Sequence, residues 1–475
     1  MKHLYKITLL ALLLICGAVA PAQTVVRGKI IDASTKEAIA GASIHCTKEG
    51  CTCGCITNTS GNFELKCKDD CTELQISFIG YASQKIVVSN QLQTVMLTPA
   101  ASQLQEVVLT ANRGEGVKRS EAPVAISSIS NKTIQDTRPT TADQVLNKVS
   151  GVNMVSLGNE QHQMSIRQPI TTRSLFLYLE DGIPIRTSGL YNHNALLEMN
   201  MAATKSIEVI KGPSSSLYGS EAIGGVVNFI TAAPTAVPVL KVSAQGNNLG
   251  YKRTDLMSSV TKGNWGFLLS GYYADKRNGF LEYTDFHKGT FTARIDHKFS
   301  GKTTLSNSLT YLDYYSDMAG GIDSTMFARK TFSNPQTFTY RKVESLRFHS
   351  TLTHTWNDNS KTTVTGLYRD NSIGQDPAYR VKDDRKKKDL AHGEINKSSF
   401  NSYSFIAQHR QNLNWKKAMI IGGFNADISP STYNANYIRI KKDTVAAKYV
   451  SYQNTDSVLT NYATKLNNYA AFVNF

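Results

Sequence analysis

The chain has 475 residues and a formal net charge of +15, so it is strongly basic and long enough for several domains. After Gln23 no stretch of about 18 consecutive apolar residues occurs, which excludes a transmembrane helix from the mature chain. The hydrophobic fraction of 41% permits either a soluble protein or one that crosses a membrane as β-strands.

The N-terminus has the three parts of a secretory signal peptide. Lys2, His3 and Lys6 precede an apolar run over residues 7–15, and Ala20-Pro-Ala22 offers a cleavage site before Gln23. We therefore predict a signal peptide at residues 1–22 and an exported mature chain. In an exported protein, the positive charge favours anionic lipid or an anionic small ligand as partner over nucleic acid.

Six cysteines follow the signal peptide, all within the first 71 residues. An even number in an oxidising compartment predicts three disulfides, which would stabilise a small domain with a marginal core. A metal site is the alternative, because three thiols lie within residues 51–55. On the disulfide reading, each of those three pairs with one of the other three. The six are Cys46, Cys51, Cys53, Cys55, Cys67 and Cys71.

Residues 23–98 alternate short β-type runs with turn residues, which predicts a small β-sandwich. The runs at residues 28–32, 41–44, 60–63 and 77–81 resemble the carboxypeptidase-regulatory-like domain that opens many Bacteroidetes receptors. The cysteine cluster departs from that pattern, and the resemblance implies no peptidase activity.

Residues 99–116 form a predicted linker that contains a short extended segment. Such a segment can add as a strand to a partner's sheet edge, although it can also be the last strand of the sandwich. It resembles the coupling box of TonB-dependent receptors, which implies a TonB-type inner-membrane energy-coupling protein as partner. The segment consists of Glu106, Val107, Val108, Leu109 and Thr110.

Residues 117–235 contain several motifs in a fixed order. A helix is predicted over residues 140–151, with Thr141 or Asp143 as its N-cap and Gly151 as its end. Asp181-Gly182 predicts a tight turn between strands, and Gly224-Gly225 permits close approach of backbones. The runs at residues 164–167, 175–184, 207–213 and 216–231 resemble the plug domain of TonB-dependent receptors, with Gln168 as a departure.

Residues 236–475 show repeated two-residue alternation of apolar and polar side chains, as in residues 289–299. This pattern, with aromatic residues near the strand ends, is typical of a transmembrane antiparallel β-barrel. The predicted fold is mostly β: a small β-sandwich, an α+β plug and then the barrel. We count about ten strands in this region, whereas a plugged outer-membrane transporter has about 22 strands, so we expect a truncated barrel.

The sequence contains no phosphate-binding loop, zinc-protease motif or serine-nucleophile elbow, and we predict neither enzymatic activity nor a cofactor. The resemblances imply an outer-membrane receptor for energy-coupled uptake, with its N-terminal domain and coupling box in the periplasm and its barrel in outer-membrane lipid. The alternatives are uptake of cobalamin, uptake of oligosaccharide or peptide with a surface lipoprotein partner, and ligand-sensing signal transduction.

The predicted ligand is an anionic metal chelate such as a ferric siderophore. Two plug turns, residues 167–173 and 188–194, carry arginines and aromatic or amide side chains but no acidic residue. Arginines bind carboxylate or phosphate-like groups by paired hydrogen bonds, although they can equally pair with carboxylates of the barrel wall. The candidate ligand-binding residues are Arg167, Arg173, Tyr191, Asn192 and His193.

Overall fold

The structure is a computed structural model. It describes residues 24–98, 108–109, 117–118 and 125–475, except 34, 49–50, 52, 68–70, 79–80, 89–91, 174, 188–191, 219–220, 414 and 416–417. The predicted signal peptide therefore lies outside the described residues. The chain divides into two compact units, Met1–Val107 and Val108–Phe475.

The first unit contains two small sheets, with strand orders β4-β1-β7 and β3-β2-β5-β6. Phe63 and Leu65 alternate with exposed residues along β4, so one face of that strand enters the core. Ile44 and Ile76 of the other sheet belong to the same apolar core. The predicted β-sandwich is confirmed. Its strands are β1 Thr24–Asp32, β2 Ser43–Cys46, β3 Gly54–Ile56, β4 Asn62–Cys67, β5 Glu73–Ser77, β6 Gln84–Val87 and β7 Gln93–Leu97.

The second unit begins with two short paired strands and continues into a mixed plug domain. The plug has a five-stranded sheet of order β10-β15-β16-β13-β14 and the hairpin β11-β12. The strands are β8 Val108–Leu109, β9 Val117–Lys118, β10 Ala125–Ser130, β11 Val152–Gly158, β12 Gln161–Ile166, β13 Phe176–Glu180, β14 Ile183–Pro184, β15 Thr204–Lys211 and β16 Gly225–Thr231. The helices are α1 Asn131–Thr137, α2 Asp143–Leu146, α3 Ser215–Tyr218 and a 3₁₀ helix at Asn192–Glu198.

The helix predicted over residues 140–151 is shorter in the structure. It begins after Ala142, whose side chain makes no capping hydrogen bond, so neither predicted N-cap residue is correct. It ends at Leu146 because the Asn147 side chain turns to the backbone of Met154, donating to its carbonyl at 2.8 Å and accepting from its N–H at 2.7 Å. This pair of bonds joins the end of α2 to β11.

The Asp181-Gly182 turn is as predicted. Both residues have positive φ, 52° and 79°, which is the geometry of a type I′ hairpin turn. It joins β13 to β14 in antiparallel register. The Asp181 side chain also accepts a hydrogen bond of 2.8 Å from the backbone N–H of Thr231, which fixes the turn against the end of β16.

A large antiparallel sheet follows the plug. Its path runs in chain order from β17 to β27, with β24 attached to β25, so β17 and β27 stand at its two open ends. Among the described helices, none is long and apolar enough to span a bilayer. The strands are β17 Val239–Gly246, β18 Tyr251–Lys262, β19 Trp265–Lys276, β20 Phe286–Lys298, β21 Thr303–Asp317, β22 Tyr340–Asn357, β23 Ser360–Asp376, β24 Lys382–Asp383, β25 Leu390–Asn412, β26 Met419–Asp443 and β27 Lys448–Asn474.

The two rims of this sheet differ. One rim carries the longer connections, residues 318–339, which include helix α4 Ser324–Ala328, and residues 377–389, which include a 3₁₀ helix at Ala378–Arg380. The other carries short turns such as residues 299–302 and 358–359. Along the strands, buried and exposed side chains alternate, as in Arg341, Val343 and Ser345 of β22, which are buried beside exposed Lys342 and Glu344. The predicted sequence of sandwich, plug and receptor-type antiparallel strands is confirmed.

Candidate functional site

The plug contacts the large sheet through a buried cluster of charges. Arg347 of β22 donates through Nη1 to Glu198 Oε2 at 2.9 Å and through Nη2 to Glu180 Oε2 at 3.1 Å. Arg186 of the plug donates through Nε to the other oxygen of Glu198 at 2.6 Å. Two guanidinium groups therefore face two carboxylates in a buried site. This pairing offsets the desolvation of four charges, which would otherwise be prohibitive.

A second buried contact lies farther along the same sheet. Arg369 of β23 forms an ion pair with Asp427 of β26, and its Nη1 donates to the carbonyl oxygen of Pro184 in the plug at 2.9 Å. Thr187 of the plug donates to Asp427 Oδ1 at 2.9 Å. Plug and sheet are thus bound to each other at two buried polar sites as well as by apolar packing.

A third contact marks the apex of the plug, at the turn between β11 and β12. Glu160 in this turn accepts two hydrogen bonds from Lys288 Nζ, at 2.8 and 3.0 Å, near the start of β20. Asn159 accepts a hydrogen bond of 3.1 Å from Ser316 at the end of β21. Because β21 runs directly into connection 318–339, the turn lies at the rim with the longer connections.

A cavity of about 880 Å³ opens beside this apex. The plug contributes Asn159, Gln161, Thr172 and Asn194 to its lining, and the long connections contribute Tyr379 and Arg380. Strands of the large sheet form the rest of the wall, including Arg341 at the start of β22 and Tyr433 of β26. The cavity is therefore built from both parts of the second unit and has a mixed polar and aromatic wall.

Arg341 is the unusual residue of this wall. It is only 1% exposed, and among the described residues its Nε and Nη1 atoms have no hydrogen-bond partner. An unsatisfied buried donor costs about 1–3 kcal/mol, and more when the group is charged. Both nitrogens are covered by protein, so the anionic oxygens of a ligand in the cavity would supply the missing acceptors once neighbouring wall residues shift.

Sequence reasoning did not find Arg341, although a signal was present. Residues 341, 343, 345 and 347 share one face of an alternating strand, and that face is buried. An arginine on the inward face of such a strand indicates either an ion pair or a ligand contact. Arg347 has the ion pair, whereas Arg341 faces the cavity.

The structure separates the two predicted ligand-binding arginines. Arg167 follows the last residue of β12, about 20 Å along the strand from Gln161 in the cavity wall. It is exposed, has a φ of 58° and donates a long hydrogen bond of 3.4 Å to the Lys211 carbonyl. Arg173 is exposed next to Thr172, a cavity residue, so it lies nearer the site than Arg167 does.

The other predicted turn contributes to the cavity through Asn194. Tyr191 lies outside the described residues. Asn192 and His193 begin the 3₁₀ helix that also contains Glu198, and the description of these two residues is limited to their backbone. The role of all three as ligand contacts stays a prediction.

The predicted coupling box is partly described. Glu106, Val107 and Thr110 lie outside the described residues. The backbones of Val108 and Leu109 form β8, which pairs antiparallel with Lys118 and Val117 of β9. These two residues thus adopt the extended conformation that strand addition requires.

The cysteines differ from the predicted set of three disulfides. Among the described residues, one disulfide forms, between Cys46 at the end of β2 and Cys71 before β5. Because these two cysteines pair with each other, they leave only Cys67 as a partner for Cys51, Cys53 and Cys55. Those four are not disulfide-bonded in the structure. Burial, together with the neighbouring Cys53 and Cys51 thiols, raises the pKa of Cys67 to about 12.

Comparison with known families agrees with this architecture. Residues 118–226 match the TonB-dependent Receptor Plug Domain, and residues 26–109 match the CarboxypepD_reg-like domain. The second match covers the sandwich, and the first covers the plug from β9 to the start of β16.

Solved receptor structures share the fold. The ferripyoverdine receptor of Pseudomonas aeruginosa bound to ferripyoverdine is 14% identical, with a TM-score of 0.64 over 81% of this chain and 54% of that one. The ferric citrate transporter FecA in the unliganded form is 16% identical, with a TM-score of 0.59 over 74% and 53%. The siderophore receptor PiuA of Acinetobacter baumannii is 19% identical, with a TM-score of 0.53 over 74% and 53%.

The chain spans about half the length of these solved structures. At these identities, the likeness establishes the fold, while the domain matches cover the sandwich and the plug. TonB-dependent receptors are transport receptors and not enzymes. With the two domain matches and the fold in agreement, residues 118–226 are a plug domain of the TonB-dependent receptor type, and the chain has the fold of these receptors.

Proposed function

We propose that this receptor lies in the outer membrane and takes up an anionic metal chelate, such as a ferric siderophore or ferric citrate, with energy from a TonB-type inner-membrane protein. The observation that carries the proposal is the buried Arg341 in the wall of the cavity beside the plug apex. The receptors of similar fold named above bind ferripyoverdine, transport ferric citrate or recognise a siderophore.

The composition of the cavity wall supports an anionic ligand with flat groups. Arg341 offers two nitrogen donors that the protein leaves unsatisfied, and Arg380 adds a second positive charge, with Glu394 3.7 Å from it. Tyr379 and Tyr433 offer aromatic faces for apolar contact. A chelate with carboxylate, hydroxamate or catecholate oxygens around a metal matches both features.

Coupling follows the same proposal. The segment Glu106–Thr110 adds as a strand to the edge of the inner-membrane partner, and a pull on it rearranges the plug. The plug contacts the large sheet at Glu198 and Asp427, and a movement of the plug relative to the sheet has to break these contacts. Ligand binding shifts the population toward the state in which the box is accessible to the partner.

The test is chelate binding by whole cells that express the receptor under iron limitation. Replacing Arg341 by Gln removes the charge and leaves a shorter polar side chain. We expect binding of ferric citrate to weaken about 10- to 150-fold, which corresponds to the loss of one charged hydrogen bond of about 1.5–3 kcal/mol. Arg173→Ala and His193→Ala test the residues proposed from sequence.

Lys342→Gln is the matched control, because Lys342 is the next residue of the same strand and faces away from the cavity. It should bind the chelate as the parent does. Equal binding by the parent and Arg341→Gln would contradict an anionic ligand. Tight binding of cobalamin without any binding of ferric chelates would redirect the proposal to that neutral ligand.

A further inference from the structure

Three thiols of the β-sandwich converge outside any disulfide. The Sγ atoms of Cys51, Cys53 and Cys67 all lie within 4.8 Å of one another. Cys67 is the last residue of β4 and is fully buried, whereas Cys51 and Cys53 precede β3 and are half-buried. The cluster therefore has a closed inner side and a more open outer side.

Backbone bonds hold these residues in place. The N–H of Cys46 donates to the carbonyl of Cys53 at 3.1 Å, which ties the segment before β3 to the end of β2. The N–H of Cys51 donates to the carbonyl of Lys48 at 3.1 Å and closes a turn there. Cys67 is paired in the β1–β4 ladder opposite Thr24. The three thiols are thus positioned by two different sheets.

The Cys46–Cys71 disulfide contributes to this arrangement without consuming any of the three thiols. It joins the end of β2, after which the connection with Cys51 and Cys53 begins, to the segment that follows Cys67 at the end of β4. A disulfide within the cluster would join two of the three thiols and would leave the third without a partner inside the cluster.

The distances suit one metal ion. At a metal–sulfur distance of about 2.3 Å, thiolates around one ion lie about 3.8 Å apart in a tetrahedral site and about 4.0 Å apart in a trigonal one. The upper limit of 4.8 Å on the sulfur–sulfur separations exceeds these values by no more than about 1 Å, a difference that side-chain rotation can close. Thiolate sulfur selects thiophilic ions such as Cu(I) and Zn(II) over Mg(II) or Ca(II).

We propose that Cys51, Cys53 and Cys67 bind a single thiophilic closed-shell ion, Cu(I) or Zn(II). On binding, the three S–H bonds break, three metal–sulfur bonds form and three protons pass to solvent. Cu(I) is held by the three sulfurs alone, whereas Zn(II) takes a water molecule as its fourth ligand on the open side. The site lies in the sandwich and is independent of the ligand that the receptor transports.

The experiment uses the whole receptor, purified anaerobically with Cys46–Cys71 intact and then offered Cu(I) or Zn(II) in separate arms against a competing chelator. We expect one ion per chain after desalting, three thiols protected from alkylation, and X-ray absorption that shows sulfur ligands. Three sulfur ligands alone indicate the trigonal site, whereas three sulfur ligands and one oxygen ligand indicate the hydrated site.

Cys53→Ser should weaken binding by at least about 100-fold, because loss of even an outer partner of a metal ligand costs about 10- to 100-fold. Cys51→Ser, also half-buried, is the second variant in case the first folds poorly. Cys55→Ser is the matched control, because Cys55 lies two residues away but outside the cluster, and it should bind like the parent. The proposal is overturned if neither ion binds, if Cys53→Ser and Cys51→Ser bind like the parent, or if two of the three thiols are joined by a disulfide.

Discussion

Gly225 shows how one residue without a side chain permits the plug to form. It begins β16 and pairs on one side with Phe176 of β13 and on the other with Lys211 of β15. A Cβ atom at this position would lie 2.5 Å from the carbonyl oxygen of Ile210 and 2.8 Å from the side chain of Ile166. The close approach expected from the Gly-Gly pair is present in the structure.

Gly225→Ala should therefore destabilise the plug by about 1–3 kcal/mol, the usual effect of overpacking in a core. Protease digestion of the purified receptor at a series of temperatures measures this loss of stability, because cleavage within the plug should begin at a lower temperature. Gly366→Ala is the control, because nothing lies within 4 Å of its added methyl group on β23. Identical cleavage curves for parent and Gly225→Ala would show that the backbone moves apart without cost.

Two elements of the sandwich are joined by the Cys46–Cys71 disulfide, which closes a loop with a sequence separation of 25 residues. Replacing both cysteines by Ala should lower the free energy of unfolding of this domain by about 3 kcal/mol, because the unfolded chain regains the freedom of that loop. Hydrogen exchange of β2 and β5 in the whole receptor reports the change. Under reducing conditions the difference from the parent should disappear, and its persistence would point to lost packing instead.

The coupling segment is tested at the level of the strand it forms. Val107→Pro removes a backbone donor that strand addition requires, so uptake of the ligand should be abolished. Binding of the chelate to the cell surface should remain at the parental level, because the segment does not contribute to the cavity wall. Measuring binding and uptake on the same cells separates these effects, and normal uptake would exclude residues 106–110 as the coupling box.

At the scale of the whole second unit, plug and sheet depend on buried ion pairs rather than exposed ones. Arg347→Met leaves Glu180 and Glu198 without their shared partner, and we expect a loss of about 3–5 kcal/mol. Lys342→Met on the same strand breaks an exposed pair with Glu344, where the lysine and glutamate side chains are 51% and 47% exposed, and should change stability by about 0–1 kcal/mol. Chemical unfolding of the solubilised receptor compares the stabilities of the two variants. Equal denaturation midpoints for Arg347→Met and Lys342→Met would mean that water enters and solvates the two carboxylates.

The sequence by itself determined the order of the domains and the class of each. Alternation of apolar and polar residues predicts strands because neighbouring side chains of a strand point to opposite faces, and this local property needs no knowledge of distant partners. The Asp181-Gly182 turn was predictable for the same reason, since positive φ at both positions is a local preference. The bounds of α2 were not, because Asn147 ends that helix through a bond to β11.

Only the tertiary structure decided which polar residues act together. Arg341 and Arg347 are both buried arginines of β22. Arg347 forms ion pairs with two carboxylates of the plug, whereas Arg341 lies in the wall of the cavity. The six cysteines likewise divide into one disulfide, a cluster of three thiols and Cys55 outside both. The physical reason is that ion pairs, disulfides and metal sites depend on distances of a few ångströms between residues that can be more than a hundred positions apart, and the packing of the elements sets those distances.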